Sequence, residues 1–244
     1  MTNGKVTREI AILMAAGLGS RMKPLTDTMP KPLVPVCGRP LIETVIDALT
    51  ARGVAEIYVV VGYKAEQFAD LAAKHPNVKL VLNAEYVTKN NINSIAVVAD
   101  AMASADCFVC EADLYVASRE LLCRPLARSG YFARFVAGHS DDWVFETQDG
   151  RITRVGKVGD DCFNMVGVSY FKQADAARIA EAVKAAVAQP ENAQLFWDDI
   201  VDRLCREGLD LGIHEIKDGE IVECDTVDDL RALEQRLSLQ KEGK

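Results

Sequence analysis

The sequence lacks any apolar run approaching the roughly 18 residues of a membrane-spanning helix, and its N-terminus shows no signal-peptide pattern. It also lacks an excess of positive charge, since 28 lysines and arginines stand against 36 aspartates and glutamates, a formal charge of −8. An acidic chain is a poor partner for a nucleic-acid backbone, because each phosphate contact needs a cation. We therefore expect a cytoplasmic protein that binds neither a membrane nor a nucleic acid.

Histidine is scarce, with three residues in 244, and we expect structural or surface roles for all three. The seven cysteines are irregularly spaced, and the C-x-x-C pair, Cys107 and Cys110, lies in an apolar, strand-like segment. A redox or metal site would need a second pair or a strand-to-helix turn at that point, and neither is visible. Buried reduced thiols are the interpretation that we favour, and they indicate a reducing compartment.

The first half of the chain alternates apolar strands with helices. Strands are predicted at 9–14, 56–61, 78–82 and 106–110, and helices at 40–52, 64–74 and 93–103. Near-continuous apolar strands that alternate with helices are typical of a parallel sheet covered on both faces.

The second half carries hairpin signals instead. Strands are predicted at 131–137, 143–147, 151–158 and 163–171, and helices at 174–188, at 197–207 and from Thr226, where Asp229 completes a capping-box pattern. Turns are predicted at Asp149-Gly150 and, in a short hairpin, at Asp218-Gly219. We predict one domain over residues 1–244, an α/β fold with a doubly wound, mostly parallel sheet and a small antiparallel insertion.

The first strand runs directly into a segment of small residues, Ala15-Ala16-Gly17-Leu18-Gly19-Ser20-Arg21. Open parallel sheets bind ligands at the carboxyl ends of their strands, and small residues let backbone N–H groups approach anionic oxygens. A dinucleotide fingerprint would need a third glycine where Met22 stands, and the Gly-Lys-Ser/Thr of a P-loop is absent. Taken alone, the segment is equally compatible with a structural turn.

Three cations, Arg21, Lys23 and Lys31, follow within eleven residues, on a segment interrupted by several prolines. Proline keeps such a segment non-helical and ordered. A solvated basic loop and a clamp for a triphosphate are the two interpretations of this pattern.

Two aspartates follow predicted strands and are candidate ligands of a cation. Asp113 comes just after the strand at 106–110, and Asp225 comes just before the last helix. Mg²⁺ in proteins is typically held by one or two carboxylates together with substrate phosphates. A loop acid or a helix cap is the alternative explanation for each of them alone.

The segment LMAAGLGSRMKPLTDTMPKPLVPVCGRPLIE at 13–43 resembles the signature of the nucleotidyltransferase superfamily, and VVVGYKAEQF at 59–68 continues the resemblance. Over nearly its full length the chain is similar to bacterial CTP:phosphocholine cytidylyltransferases. The segments that carry this similarity are NNINS at 90–94, EADLY at 111–115, SGYF at 129–132, DDW at 141–143, VGVSYF at 166–171, LFWDDIV at 195–201 and IVECDTVDDL at 221–230.

The resemblance implies a Rossmann-like fold and a Mg²⁺-dependent transfer of CMP from CTP to phosphocholine, with in-line attack on the α-phosphate and release of pyrophosphate. Asp113 and Asp225 would hold Mg²⁺, while Lys31, Arg21 and Lys23 would neutralise the phosphates. The nucleotide would be recognised within a half spanning about 1–115, by Ala15, Ala16, Gly17, Leu18, Gly19, Asn91 and Ser94.

The second part of the chain, about 116–244, would then bind the acceptor, a cationic phosphorylated small molecule. A quaternary ammonium is recognised by aromatic faces and an acidic group. The candidates are Trp143, Trp197, Tyr131 and Asp198, with Lys157 for the acceptor phosphate. Each tryptophan has an alternative explanation as a core or helix-packing residue.

Other functions stay open at this point. An acceptor such as 2-aminoethylphosphonate or another amine-bearing phosphate would keep the mechanism. A sugar-1-phosphate nucleotidyltransferase is disfavoured because no E-K-P segment follows Asp113, and a non-catalytic nucleotide sensor is disfavoured because Lys31 and both aspartates are present. A homodimer is compatible with the sequence, which does not reveal an exposed interface.

Overall fold

The computed structural model describes residues 8–242. Its strands are β1 Glu9–Ala15, β2 Pro35–Val36, β3 Arg39–Pro40, β4 Glu56–Val61, β5 Val78–Leu82, β6 Asp106–Glu111, β7 Leu114–Val116, β8 Gly130–Ser140, β9 Val144–Gln148, β10 Arg151–Gly156, β11 Gly159–Phe171, β12 Gly212–Glu215 and β13 Ile221–Glu223. Its helices are α1 Leu41–Arg52, α2 Ala69–Lys74, α3 Ile92–Ala96, α4 Ala99–Met102, α5 Gln173–Val187, α6 Trp197–Arg206 and α7 Val227–Glu242.

One sheet of nine strands organises the molecule. Its parallel part has the order β6-β1-β4-β5, and β11 joins β6 in antiparallel orientation. Strands β8, β9 and β10 continue the antiparallel part, and β12 lies parallel to β8. The predicted doubly wound α/β sheet is therefore confirmed, and the antiparallel strands extend that sheet directly.

The central strand β1 packs on both of its faces, which explains its continuous apolar sequence. Ile10 and Ile12 belong to a core cluster with residues of α3 to α6, whereas Ala11 and Leu13 pack with residues of α1 on the opposite face. The C-x-x-C pair lies on β6 with both thiols free and buried, as predicted. Within residues 8–242 no helix is long and apolar enough to cross a membrane.

Helix α1 ends at Gly53 in the left-handed conformation (φ 88°), as its sequence predicts. At the start of α7, Thr226 and Asp229 form the predicted reciprocal cap, with the Asp229 carboxylate accepting from the Thr226 N–H at 2.7 Å. The sequence thus located these helix ends correctly from their capping residues.

Three predicted elements differ from the structure. The helix predicted at 93–103 is two short helices, α3 and α4, because Val98 leaves helical geometry (φ −119°, ψ 12°). The helix predicted at 64–74 begins as a 3₁₀ turn at Ala65–Phe68, and only α2 is α-helical. The chain does turn at Asp218-Gly219, but β12 and β13 do not pair with each other, since β12 joins β8 and β13 joins β7.

Candidate active site

A cleft lies beyond the carboxyl ends of the parallel strands, where open α/β sheets bind their ligands. It consists of three adjoining cavities of about 250, 400 and 200 Å³. Arg21 and Asp225 line all three, and Asp113 lines the two larger ones. Asp225 therefore stands at the junction of the three cavities, and Asp113 borders two of them.

The glycine-rich segment after β1 lines the 400 Å³ cavity. Gly19 adopts a left-handed conformation (φ 63°), and its carbonyl accepts a hydrogen bond from the Thr26 hydroxyl at 2.9 Å. A Cβ at this position would lie 2.9 Å from the Cβ of Lys31. Glycine is needed here because a side chain at position 19 would collide with Lys31 and would strain the left-handed backbone.

The small antiparallel sheet of β7 and β13 explains why two aspartates 112 positions apart in sequence meet. Glu223 pairs with Leu114 in this sheet, and the Cys224 N–H donates to the Asp113 carbonyl at 3.2 Å. Asp113, just before β7, and Asp225, just after β13, are thereby placed side by side.

The ammonium of Lys31 bridges these two aspartates. Its Nζ donates to Asp225 Oδ1 at 2.6 Å and also contacts the Asp113 carboxylate, while Arg21 reaches Asp225 Oδ2 at 2.7 Å. Lys31 is only 8% exposed. Burial acts to lower the pKa of Lys31, but the ion pairs with Asp113 and Asp225 outweigh burial and hold that pKa above its usual value.

Two glutamates complete a group of carboxylates in the cleft. Oxygens of Glu111, Asp113 and Glu223 all lie within 4.8 Å of one another. Burial, reinforced by neighbouring carboxylates, raises the pKa of Glu111 well above its usual range and that of Glu223 to about 8. These oxygen donors are crowded, and the nearby cations do not fully balance their negative charge. Such a set of donors fits a divalent cation of the magnesium type.

The wall of the 250 Å³ cavity is polar and preorganised. Asn83 is buried, accepts a hydrogen bond from the Asn93 amide at 2.7 Å and donates to the Ser94 hydroxyl at 3.2 Å. Asn91 lines the same cavity, and its side-chain carbonyl accepts from the Trp197 N–H at 3.0 Å. A fixed set of amide and hydroxyl groups beside a loop rich in backbone N–H groups suits a nucleotide base.

Tyr86 stands over the same cavity and packs against Gly62, at the end of β4. A Cβ on residue 62 would lie 2.7 Å from Tyr86 Cγ and 2.8 Å from the Ala16 carbonyl oxygen. The Tyr63 N–H donates to that same carbonyl at 3.1 Å, so β4 directly supports the glycine-rich segment.

Gly62→Ala is expected to raise the KM for the nucleotide about tenfold or more and to leave kcat nearly unchanged, because the added methyl must displace Tyr86 or Ala16. Steady-state kinetics at saturating acceptor measure this effect. Gly156→Ala is a suitable control, since residue 156 lines none of the three cavities, its backbone is not left-handed, and its Cβ would meet only the end of the Arg154 side chain, at 3.1 Å. An unchanged KM in Gly62→Ala would show that Tyr86 does not contact the nucleotide.

The 200 Å³ cavity has a mixed acidic and aromatic wall. It is lined by Asp142, Trp143, Met165, Phe196 and Asp198, next to Glu111 and the carboxylates described above. The rings of Trp143 and Phe196 meet edge to face, with centroids 5.3 Å apart. This cavity adjoins the nucleotide cavity across the acidic group and is the candidate acceptor site.

Tyr131 and Trp197 do not reach this cavity, because both rings are buried, at 1% and 3% exposure, and stack on each other in the core. Tyr131 affects the cavity only through a residue that lines it. The Tyr131 hydroxyl donates to Asp198 Oδ1 at 2.9 Å, and burial raises the pKa of Asp198 to about 7. An expected aromatic cage of two tryptophans and a tyrosine is thus not assembled at the cleft surface.

The two remaining cationic candidates have different surroundings. The Lys23 ammonium is exposed and lies 3.3 Å from Asp27, away from the residues that line the three cavities. The Lys157 ammonium lies 4.7 Å from the ring centroid of Trp143 and 4.4 Å from that of Phe196. Within residues 8–242 no histidine lines any of the three cavities.

Several residues of the cleft are not among the candidates named from the sequence. Glu111 and Glu223 each precede a candidate aspartate by two positions, and the period of two along a strand is a signal that could have found them. Phe196 is the neighbour of Trp197, and the exact start of α6, just after Phe196, decides which ring faces the cleft. Tyr86 lies in an irregular segment and carries no such signal.

A doubly wound sheet, a glycine-rich segment after its first strand, a nearby lysine and a converging acidic group define a nucleotidyltransferase. The chain matches the model of the MobA-like NTP transferase domain over residues 11–189. The chain belongs to the MobA-like NTP transferase family and, within it, to the cytidylyltransferases.

Similar proteins that align over nearly their whole length support this family assignment. A 2-aminoethylphosphonate cytidylyltransferase of Lancefieldella rimae is 48% identical, over 92% of this chain and 91% of that protein. A choline-phosphate cytidylyltransferase of Streptococcus pneumoniae is 34% identical, over 93% and 97% respectively. The solved structure of the Streptococcus pneumoniae CTP:phosphocholine cytidylyltransferase LicC superposes with a TM-score of 0.86 at 34% identity, covering 94% of this chain and 99% of that one.

Proposed function

We propose that this cytidylyltransferase transfers CMP from CTP to 2-aminoethylphosphonate and releases pyrophosphate. The observation that carries the proposal is the wall of the acceptor cavity, where Asp142 and Asp198 supply carboxylates while Tyr131 and Trp197 are buried in the core. A primary ammonium donates N–H groups to carboxylates, whereas a quaternary ammonium depends on aromatic faces. The 48% identical relative supports the same acceptor.

In the proposed reaction a phosphonate oxygen attacks the α-phosphorus of CTP. The new oxygen–phosphorus bond forms as the bond to the β-phosphate oxygen breaks, and pyrophosphate leaves. The attacking oxygen is already anionic, so no histidine base is needed. The protein aligns the two substrates across the acidic group, and Lys31 and Arg21 stabilise the negative charge that moves onto the departing pyrophosphate.

Magnesium is the divalent ion that we propose for this site. Asp113 and Asp225 would hold it, with Glu111 and Glu223 beside them, and all four offer carboxylate oxygens. When bound, Mg²⁺ supplies positive charge that draws the reacting phosphate groups together. Lys31, which bridges the two aspartates in the structure, would be released toward the phosphates.

Phosphocholine is the second candidate acceptor, and the motif resemblance favours it. The corner between Trp143 and Phe196 is able to hold a cation, since the Lys157 ammonium lies there. The Streptococcus pneumoniae choline-phosphate cytidylyltransferase, which is 34% identical in sequence, supports the same acceptor.

A pyrophosphate-release screen separates these acceptors. CTP, UTP, dTTP and ATP are each combined with 2-aminoethylphosphonate, phosphoethanolamine, phosphocholine and glucose 1-phosphate. We expect the highest kcat/KM for CTP with 2-aminoethylphosphonate. A preference for phosphocholine would contradict the proposed acceptor, and a preference for UTP or dTTP with the sugar would contradict the nucleotide as well.

Asp198 provides a test that depends on pH. Since its pKa is raised to about 7, the carboxyl is neutral at lower pH and cannot pair with an ammonium group. The KM for the amine acceptor is therefore expected to rise as pH falls through 7. Asp198→Asn should raise that KM about tenfold or more above pH 7 and flatten this part of the profile. An unchanged profile in Asp198→Asn would assign the pH dependence to the acceptor itself.

A further inference from the structure

The side chain of Asn83, in the 250 Å³ cavity, can be oriented in one way only. Its oxygen accepts from the Glu85 backbone N–H at 3.1 Å and from the Asn93 amide at 2.7 Å. A backbone N–H can only donate, so the atom that faces Glu85 must be the oxygen, and both of its lone pairs are used. The nitrogen of Asn83 therefore faces Ser94 and donates to the hydroxyl oxygen at 3.2 Å.

The fold holds this orientation in place before any ligand binds. Asn83 follows β5 directly, is 1% exposed, and donates its own N–H to the Val61 carbonyl at 2.8 Å. Turning the amide over would place its nitrogen against the Glu85 N–H and leave two buried donors facing each other. Because unpaired buried donors are costly, the direction of these hydrogen bonds is fixed by the main chain.

The hydroxyl proton of Ser94 is the end of this chain of hydrogen bonds. Since the Ser94 oxygen accepts from Asn83, which has no lone pair on its nitrogen, the proton must find an acceptor elsewhere. Among residues 8–242 no protein oxygen accepts this proton, although Ser94 is only 3% exposed. Ser94 lines the 250 Å³ cavity, so a ligand in that cavity can supply the acceptor.

Asn91, on the wall of the same cavity, is oriented by the same kind of contact. Its side-chain oxygen accepts from the Trp197 backbone N–H at 3.0 Å, so the opposite end of this amide carries the N–H donors. Two side chains of this wall, Asn91 and Ser94, therefore have protons to offer to a ligand.

We propose that Asn83 is a positioning residue, which selects cytosine over uracil by holding the Ser94 hydroxyl as a donor toward N3 of the base. N3 of cytosine is a hydrogen-bond acceptor, whereas N3 of uracil carries a proton and would leave the Ser94 donor unpaired. A site built to hydrogen-bond one ligand rejects an analogue that leaves its buried groups unpaired. The inference rests on the proposed function, because it explains how CTP is selected over UTP.

The test measures kcat/KM for CTP and for UTP with the same acceptor, so that any loss of folded protein cancels in the ratio. Asn83→Asp turns the donor into an acceptor and draws the Ser94 proton away from the base, so the preference for CTP should fall about tenfold or more. Ser94→Ala removes the proton and should lower the preference by about the same factor. The matched control Asn77→Asp alters an exposed amide that donates to Thr50 Oγ1 at 3.1 Å, and it should keep the wild-type ratio.

The double variant separates positioning from direct contact. If Asn83 acts through Ser94, adding Asn83→Asp to Ser94→Ala should change the ratio of CTP to UTP by less than about twofold. A further fall of about tenfold would mean that Asn83 binds the base itself, which would overturn its role as a positioning residue.

Two other results would also overturn the inference. An unchanged ratio in Ser94→Ala would mean that the hydroxyl does not read the base, and this variant decides the question even if Asn83→Asp does not fold. Equal losses with CTP and UTP in Asn83→Asp would mean that Asn83 only maintains the shape of the cavity. Failure of the proposed function is a separate outcome, since the wild-type protein alone would then prefer UTP or another acceptor.

Discussion

Asp113→Asn is expected to lower kcat by about 10³-fold or more while the protein stays folded. Asp113 lines the two larger cavities, and its carboxylate contacts Lys31 and lies within 4.8 Å of oxygens of Glu111 and Glu223. An amide at this position removes one negative charge from the proposed metal site and leaves the shape of the side chain almost unchanged. The measurement is pyrophosphate release at saturating CTP and acceptor.

The control for this variant is Asp100→Asn, which removes an exposed carboxylate paired with Lys184 and should retain full activity. Asp113→Asn relieves repulsion among crowded carboxylates, and Lys31 keeps its partner Asp225. Its melting temperature should therefore be unchanged or raised. If Asp113→Asn turned over at the rate of the wild-type protein, Asp113 would not be a ligand of the metal.

Lys31→Met is expected to lower kcat by about 10²- to 10³-fold. Lys31 is the buried cation of the cleft, and it is the group best placed to meet the phosphates of CTP once a divalent ion takes the aspartates. Its loss also leaves Asp113 without its ammonium partner and Asp225 with Arg21 alone, beside two further carboxyl groups. We therefore expect a lower melting temperature at neutral pH, which divalent cations restore.

Lys23→Met is the matched comparison, since Lys23 belongs to the same loop but is exposed and lies beside Asp27. It should change kcat by less than about threefold, because an exposed pair contributes little. If Lys23→Met lost as much activity as Lys31→Met, the loop would have to close over the nucleotide and bring both lysines to the phosphates. Equal activity of Lys31→Met and the wild-type protein would contradict the role assigned to Lys31.

Local patterns predicted those parts of the fold that depend on local interactions. The apolar run of β1, the glycine end of α1 and the cap at Thr226 each depend on neighbours a few residues apart, and each is found in the structure. The pairing of β13 with β7 depends on residues about 100 positions apart, and the turn at Asp218-Gly219 wrongly suggested a local hairpin.

In the acceptor cavity, local sequence patterns likewise do not predict which way single side chains point. Trp197 is the first residue of α6, whereas Phe196 precedes the helix in an extended conformation (φ −78°, ψ 151°), so the exact start of α6 decides which ring lines the cavity. Trp143 was identified as an acceptor candidate and does line the cavity. The position of Lys157 over both rings depends on how β9, β10 and α6 come together, and no sequence pattern reports it.

A single competition reaction measures which acceptor the enzyme prefers. The wild-type protein is given CTP, a divalent cation and equal concentrations of 2-aminoethylphosphonate and phosphocholine, and the cytidylylated products are quantified by mass spectrometry early in the reaction. We predict that the CMP ester of 2-aminoethylphosphonate is the main product. CDP-choline as the main product would contradict it.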